Sequence, residues 1–399
     1  MNRVLIDLNA LRHNMQVIGD MMERQEAAWS VVTKSLCGHQ DTIRALHFLG
    51  ARSIADSRIG NLCQASEAAP ELEKWYLRLP HLSAVPEVVR HANVSLNSEM
   101  EIIEALGREA QRQEREHHIV IMIELGDLRE GILPGSLIKF YEAVFEVPGV
   151  KVKGVGAQVG CLAGAVPNID QVAQLLLYRE LLELKFQRKL PIISAGSSNF
   201  LPLLLEGKIP RGVNHYRIGE ALFLGTDLVA GGTIPGFRDD VVTLEAEIAE
   251  VKEKSLVPTS EVGATTPFDS LTPLTIDHGS NPGQRGYRAL VPLGNLDTDV
   301  AGLEPLNQGF QIAGASSDVT VVNLGDEPGG LRVGDTISFR PNYSAFVRLM
   351  SAPYLAKEVH PPLDEFKQTL PEHWKTSVPP ALDEVEAING HARDEEEQQ

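Results

Sequence analysis

Short apolar runs alternate with helical stretches through the first half of the chain. The strand-like runs are Trp29–Thr33, Ser53–Ala55, Trp75–Leu79, Val94–Leu96, Ile119–Glu124, Val152–Ala157, Pro191–Ser194 and Asn214–Ile218. Amphipathic segments lie between them, among them Asp41–Leu49, Ser98–Arg112, Ser136–Val144 and Asp170–Lys185. Ser98 with Glu101 has the spacing of a capping box at one helix start. Near-continuous apolar strands, each followed by a helix, form a parallel sheet covered on both faces. Eight such units predict a (β/α)8 TIM barrel. The alternative is an open doubly wound sheet, which would place a glycine-rich loop after its first strand; none is there.

The pattern changes after about residue 230. Gly231-Gly232 and Pro235-Gly236 lead into alternating runs at Val241–Val251, Tyr287–Leu293, Phe310–Ala313, Thr320–Leu324 and Thr336–Arg340. Turn residues separate these runs, and long helical periodicity is absent. This predicts a second, mostly-β domain. Residues 2–8 also read as a strand. The expected division is a barrel at 9–230, a β domain made of 2–8 and 231–356, and an acidic, flexible tail at 357–399.

Composition narrows the classes. At 43% apolar and 23% charged, the chain is globular rather than disordered. The net charge of −18 argues against nucleic acid as a partner. From Glu358 to Gln399, 11 acidic residues stand against 3 basic ones, so −8 of that charge belongs to this stretch. No apolar run approaches the roughly 18 residues of a membrane span. Asp7 interrupts the first apolar stretch, which argues against a signal peptide. Cys37, Cys63 and Cys161 are odd in number and widely spaced, which suits a reducing, cytoplasmic compartment and no disulfide framework. No zinc pattern is present: His117-His118 are adjacent, and no CxxC or HExxH occurs. Gly154 and Gly156 begin a dinucleotide fingerprint, but the third glycine falls at 160 and the match fails.

In a barrel, chemistry sits at the C-terminal ends of the strands. The first expected strand ends in Thr33-Lys34. A lysine there, partly desolvated in the barrel mouth, suits Schiff-base chemistry; the plainer alternative is a strand-end side chain reaching solvent. The fifth ends in Glu124, followed by the glycine-flanked charged loop Gly126–Gly131. After the seventh come Ser194–Asn199, where hydroxyls at a helix start read either as an anion site or as simple N-caps. The eighth ends in Arg217-Ile218-Gly219-Glu220. A lysine on strand one with phosphate-type loops after strands seven and eight would suit pyridoxal 5′-phosphate.

RVLIDLNALRHN, VVTKSLCGH, IADSRIGNL, ELGDLREGI, LPLLLEGKIPRGVNHYRIGEALFLG, GASSDVTVVNL and RPNYSAFVRLMSAPY occur in this order over roughly residues 2–356. In these stretches the sequence resembles the ornithine-racemase-like pyridoxal phosphate enzymes of the alanine racemase superfamily. The resemblance implies a barrel with a C-terminal β domain, and racemization of a free amino acid, ornithine or lysine, through removal of the α-proton. It implies that Lys34 carries the cofactor aldehyde, that Arg217 contacts the pyridine nitrogen, and that Arg129 lies near the phenolic oxygen. It places Ser198, its neighbour Ser197, and Gly219 with Glu220 at the phosphate. Asp318, in Ser316-Ser317-Asp318, falls where alanine racemases place a segment that reaches the substrate carboxylate from a second subunit, which implies a homodimer. Two positions depart from alanine racemase: Gln158 stands in place of a histidine, and Asn295 in place of the opposite-face tyrosine. The second acid/base is therefore open among Cys161, Asp318 and Tyr343. A guess from loop position assigns Asp127 or Glu130 to a basic substrate side chain. Competing functions are a decarboxylase of the same fold and a pyridoxal phosphate-binding protein without turnover.

Overall fold

The structure, a computed structural model, describes residues 2–160, 166–257 and 283–371. Its contacts divide it into two compact units. Among the described residues, one holds Arg12–Lys34, those from Gly38 to Arg238 and 364–371; the other holds residues 2–11, Ser35–Cys37 and those from Asp239 to Leu363.

The first strand, β1 (Arg3–Asp7), belongs to the second unit. The next eight are β2 (Ala28–Val32), β3 (Ser53–Asp56), β4 (Glu73–Tyr76), β5 (Val94–Asn97), β6 (His117–Met122), β7 (Val150–Gly156), β8 (Ile192–Ser197) and β9 (His215–Ile218). They pair in chain order and close on themselves, each interface parallel, with β9 returning to β2. This is the (β/α)8 barrel that the pattern predicts. All five residues of β2 and all four of β3, β5 and β9 are buried, as expected for strands with barrel interior on one face and helices on the other. Val32, Ala55, Trp75, Val94, Leu96, Val120, Met122 and Ile192 form a shared core.

Helix α1 (Leu8–Arg24) leads into β2. Behind successive strands come α2 (Gln40–Phe48), α3 (Ile59–Ala68), α4 (Val85–His91), α5 (Met100–Arg112), α6 (Leu137–Val144), α7 (Ile169–Phe186), α8 (Leu201–Leu205) and α9 (Glu220–Leu224). Three local expectations need correction. The third expected run, Trp75–Leu79, ends as a strand at Tyr76. Helix α5 starts at Met100 with Glu99 as its N-cap and no side-chain cap hydrogen bond, so Ser98 and Glu101 make no capping box. Helix α7 buries Val172, Leu175 and Leu182 but exposes Leu177, Leu181 and Leu184, so its apolar residues are not confined to one face. Its capping box is Asn168 with Gln171.

The second unit carries two sheets. The expected run Val241–Val251 is two strands, β10 (Val242–Glu247) and β11 (Glu250–Ser255). Then follow β12 (Arg285–Val291), β13 (Leu303–Pro305), β14 (Gln311–Ala315), β15 (Thr320–Gly325), β16 (Thr336–Pro341) and β17 (Ala356–His360). One sheet has the order β13-β16-β10-β1-β17 and the other β11-β12-β15-β14. Within the first, β1 is antiparallel to β10 and parallel to β17, and its Val4 and Ile6 are fully buried. This region also contains a helix that the sequence pattern did not predict, α10 (Tyr343–Ser351), capped by the Asn342 side chain accepting from Ala345 N at 2.9 Å. The expectation of a flexible tail from 357 needs correction as well. Strand β17 runs on to His360, and helix α11 (Leu363–Thr369) follows it. In the barrel unit, the Arg12 guanidinium lies over the Phe366 ring and the Lys367 ammonium over Phe48. The remainder of that expected tail lies outside the described residues.

Candidate active site

The barrel unit gathers most of the sequence-predicted site at the C-terminal rim of its strands. Lys34 is half-buried and opens a single 3-10 turn, Lys34–Leu36, directly after β2. Beneath it, buried Thr33 donates from Oγ1 to Asp56 Oδ2 at 2.9 Å. Asp56 ends β3 and also accepts from Arg58 N and the Asn61 amide. Burial raises the Asp56 carboxyl above its ordinary value, against the pull of those hydrogen bonds. This bracket fixes the chain just before the lysine.

Arg217, on β9, is 4% exposed. Its Nη1 donates to Ser194 O at 2.8 Å and to Ser194 Oγ at 2.5 Å. Its Nη2 donates to Ala157 O and to Gln158 Oε1, both at 3.0 Å. Gln158 is thus a partner of Arg217, and the resemblance had placed both at the cofactor. Deeper in the barrel, Ser194 Oγ is 2.8 Å from His215 Nδ1, and His215 Nε2 is 3.0 Å from Ser30 Oγ. The His215 ring stacks on Trp75 with centroids 4.1 Å apart. Burial, and then the charge of Arg217, hold the His215 imidazole well below its usual range, so it is neutral. Sequence reasoning missed this supporting chain; its available signal was the set of polar residues set singly in apolar strands.

Ser198 opens the 3-10 turn Ser198–Phe200 after β8 and is 5% exposed. Its Oγ accepts from Gly219 N at 3.3 Å and Ala221 N at 3.2 Å. A hydroxyl meeting two amide N–H groups is the donor set an anionic phosphate requires. A Cβ built on Gly219 would stand 2.9 Å from Val32 Cβ and 3.0 Å from Val32 O, so this close approach of β9 to β2 depends on glycine. Ser197 is turned differently and donates to Asn199 Oδ1, while Asn199 Nδ2 donates to Val159 O. Glu220 begins α9 beside this cradle. Burial pushes its carboxyl up to about 7, with the charge of Lys34 opposing.

The loop after β6 is held by Glu124, whose Oε1 accepts from Gly126 N and Leu128 N at 2.7 and 2.9 Å. Arg129 makes a two-pronged pair with Glu130 and lies 3.9 Å from Asp127. Burial pushes Glu130 up, but the hydrogen bonds and charge of Arg129, with Arg217 beyond, outweigh it and the net shift is downward. Asp127 is 2% exposed. Both loop carboxylates guessed for a basic side chain are therefore committed: one to an arginine, one to the interior.

The remaining candidates lie elsewhere. Cys161 falls outside the described residues. Asp318 and Tyr343 belong to the second unit. Asp318 is exposed and accepts from Ser317 Oγ at 2.7 Å. Its turn packs on the turn at Gly294: Asn295 N and Leu296 N donate to Ser316 O and Ser317 O at 3.0 Å. The departure at Asn295 and the segment 316–318 are thus neighbours. Tyr343 is half-buried at the start of α10.

Comparison with known proteins bears on this geometry. The family model for the alanine racemase N-terminal domain matches residues 6–227, more than half of the chain. The chain belongs to the alanine racemase family. It is 33% identical to the ornithine racemase of Acetoanaerobium sticklandii over 90% of this chain and 99% of that one. To the lysine racemase of Thermotoga maritima it is 32% identical, over 90% and 98%. Among solved structures, it resembles the alanine racemase from Bartonella henselae with covalently bound pyridoxal phosphate, at 15% identity and a TM-score of 0.66 over 90% of this chain and 99% of that one. As an alanine racemase family member, the protein carries its Lys34, Arg217 and Ser198 on one barrel rim. No helix among the described residues is long and apolar enough to cross a membrane.

Proposed function

We propose that this protein is a pyridoxal phosphate-dependent racemase of a free basic amino acid, ornithine or lysine, acting as a cytoplasmic homodimer. The observation that carries the reading is the shared rim: Lys34 after β2, buried Arg217 on β9, and the Ser198 hydroxyl with the Gly219 and Ala221 amides. The identities to an ornithine racemase and a lysine racemase support the substrate class.

The residues fit the cofactor. Ser198, Gly219 and Ala221 would hold its phosphate, Arg217 its ring nitrogen, and Lys34 its aldehyde carbon, with Arg129 and Gln158 at the ring's edge. When bound, pyridoxal phosphate supplies an electron sink for the α-carbanion. An arginine, rather than a carboxylate, at the ring nitrogen would leave that nitrogen unprotonated and the sink weaker, which would favour returning the proton over losing carbon dioxide. Arg217 can do this because four oxygen acceptors hold its guanidinium in place. Lys34 takes or returns the α-proton on one face of the substrate. An acid on the other face completes inversion, and Cys161, Asp318 and Tyr343 are its candidates. Asp318 from a second copy of the chain would serve the substrate carboxylate side.

The test is incubation of L-ornithine, L-lysine and a panel of neutral amino acids with cofactor-loaded protein in heavy water, followed by chiral chromatography. The expected result is D-isomer carrying deuterium at the α-carbon, abolished in Lys34→Ala. Carbon dioxide release, or undiminished turnover by a folded Lys34→Ala protein, would overturn the reading.

A further inference from the structure

We infer that the buried hydroxyls of Ser30 and Ser53 hold His215 as the tautomer protonated on Nε2, and that the resulting one-way chain of donors makes all three positioning residues for Arg217, the arginine assigned to the cofactor's ring nitrogen. The inference rests on the cofactor reading above. The chain crosses four adjacent barrel strands, with Ser194 on β8, His215 on β9, Ser30 on β2 and Ser53 on β3. All four side chains are buried, so their polar hydrogens need partners inside the barrel.

The hydrogens can be placed one at a time. Ser53 Oγ donates to Trp29 O at 3.2 Å, which uses its only hydrogen. It therefore accepts from Ser30 Oγ, 2.8 Å away. Ser30 Oγ, having donated, accepts from His215 Nε2 at 3.0 Å. The bare Nδ1 then accepts from Ser194 Oγ at 2.8 Å. With its hydrogen turned to the ring, Ser194 Oγ offers a lone pair to Arg217 Nη1 at 2.5 Å. Every hydrogen and both ring nitrogens are matched. Run the other way, the chain would set the Nδ1 and Nη1 hydrogens both against Ser194 Oγ. Its own hydrogen would then have no acceptor among the described residues, and Trp29 O would lose the Ser53 hydrogen. A doubly protonated ring fails at Ser194 in the same way and adds a second cation beside the guanidinium. Stacking on Trp75, with centroids 4.1 Å apart, fixes the ring plane. Arg217 Nη1 also donates to Ser194 O at 2.8 Å, so it sits in a fork of two acceptors. A Ser194 hydrogen turned toward Nη1 would remove one of them. Ser53, which does not touch Arg217, thus sets the direction of the bond that aims it.

The first measurement needs no change to the chain around Arg217. Nitrogen-15 spectra of the histidine rings in the cofactor-free wild type at neutral pH, with the His215 signals assigned by their loss in His215→Leu, should show one tautomer with its proton on Nε2. A proton on Nδ1, or on both nitrogens, would overturn the inference. Ser53→Ala leaves one hydrogen unmatched in either direction, so its ring should exchange between tautomers. The effect on Arg217 is read from equilibrium binding of two probes: pyridoxamine 5′-phosphate, and its analogue with C–H in place of the ring nitrogen. Neither has an aldehyde, so covalent attachment to Lys34 does not enter. Ser53→Ala should weaken the first about three- to tenfold, the scale of one lost hydrogen bond, and leave the second within about twofold of wild type. Equal weakening of both probes, or of neither, would overturn the positioning role and leave the cofactor reading standing. Absence of binding of both probes by wild type and variant, with thermal unfolding showing each to be folded, would overturn the cofactor reading itself, while the spectra still decide the tautomer.

Discussion

His215 does no chemistry in this account, yet Arg217 depends on it. The ring is stacked on Trp75 and bridges Ser194 and Ser30, so the serine that receives the arginine is itself held from below. Burial keeps His215 neutral, and burial with the charge of neighbouring His118 holds His117 at about 4. The unfolded chain gains protons on both below about pH 6.5, while the folded chain does not. Stability is therefore complete above pH 6.5 and falls as pH drops toward the folded values. For each histidine the slope is about 1.4 kcal/mol per pH unit. We expect His215→Leu to cost about 1–3 kcal/mol at pH 7.5, through serine hydroxyls left with fewer partners. The same variant should shed one proton's worth of the slope between pH 6.5 and 5, measured by urea unfolding at several pH values. A slope unchanged from wild type would mean that His215 is protonated in the fold. Little of this network could be read from sequence. Ser30 and His215 are 185 residues apart, and barrel closure alone makes them neighbours. Lys34 was legible for the opposite reason: a lysine directly after an apolar strand is a local signal.

Among the elements, the meeting of β9 with β2 is the most demanding. The strands pair in register from Ala28 with His215 to Val31 with Ile218, and Gly219 follows with no room for a Cβ beside Val32. Gly219→Ala should destabilise the protein by about 1–3 kcal/mol through overpacking. It should also weaken cofactor binding, because relief of the clash moves the Gly219 amide away from Ser198. Gly60→Ala is the control. That glycine lies exposed in α3 with open space around it, and the change should be neutral or stabilising by about 0.5–1 kcal/mol. Thermal melts and probe affinity for the two variants check the contrast; equal effects would mean that the strand junction relaxes freely. The barrel strands were legible because burial on both sides leaves unbroken apolar runs. Helix α10 was not, since its nine residues lie among β-rich runs and depend on a single Asn342 cap. Helix α7 shows a related limit: periodicity names the helix, but apolar residues on its outer face hide which side is buried.

At the scale of the whole molecule, the chain begins in one unit, builds the barrel, and then returns. The eight-strand count made the barrel legible, and the loss of helical periodicity past residue 230 marked the β-rich region. What no local pattern could state is where β1 goes. It lies inside a five-stranded sheet, between β10 and β17, with Arg3 ion-paired to Glu245 on one side and Glu358 on the other. Ile6 on this strand is fully buried, so Ile6→Ala should cost about 2–5 kcal/mol, whereas Arg3→Ala, at exposed pairs, should cost no more than about 1 kcal/mol. Denaturant titrations of both decide it; a larger loss for Arg3 would mean that the sheet is held chiefly by its rim charges. The same placement has a consequence for birth on the ribosome. β1 is synthesised more than 230 residues before β10, its nearer partner in the chain. At about 5–20 residues per second, that is a wait on the order of ten seconds to a minute. During it the barrel strands can emerge and close, while an apolar segment waits with both edges unpaired. A nascent chain of this protein therefore offers chaperones, and neighbouring nascent chains, a strand in search of a sheet until translation is well past its midpoint.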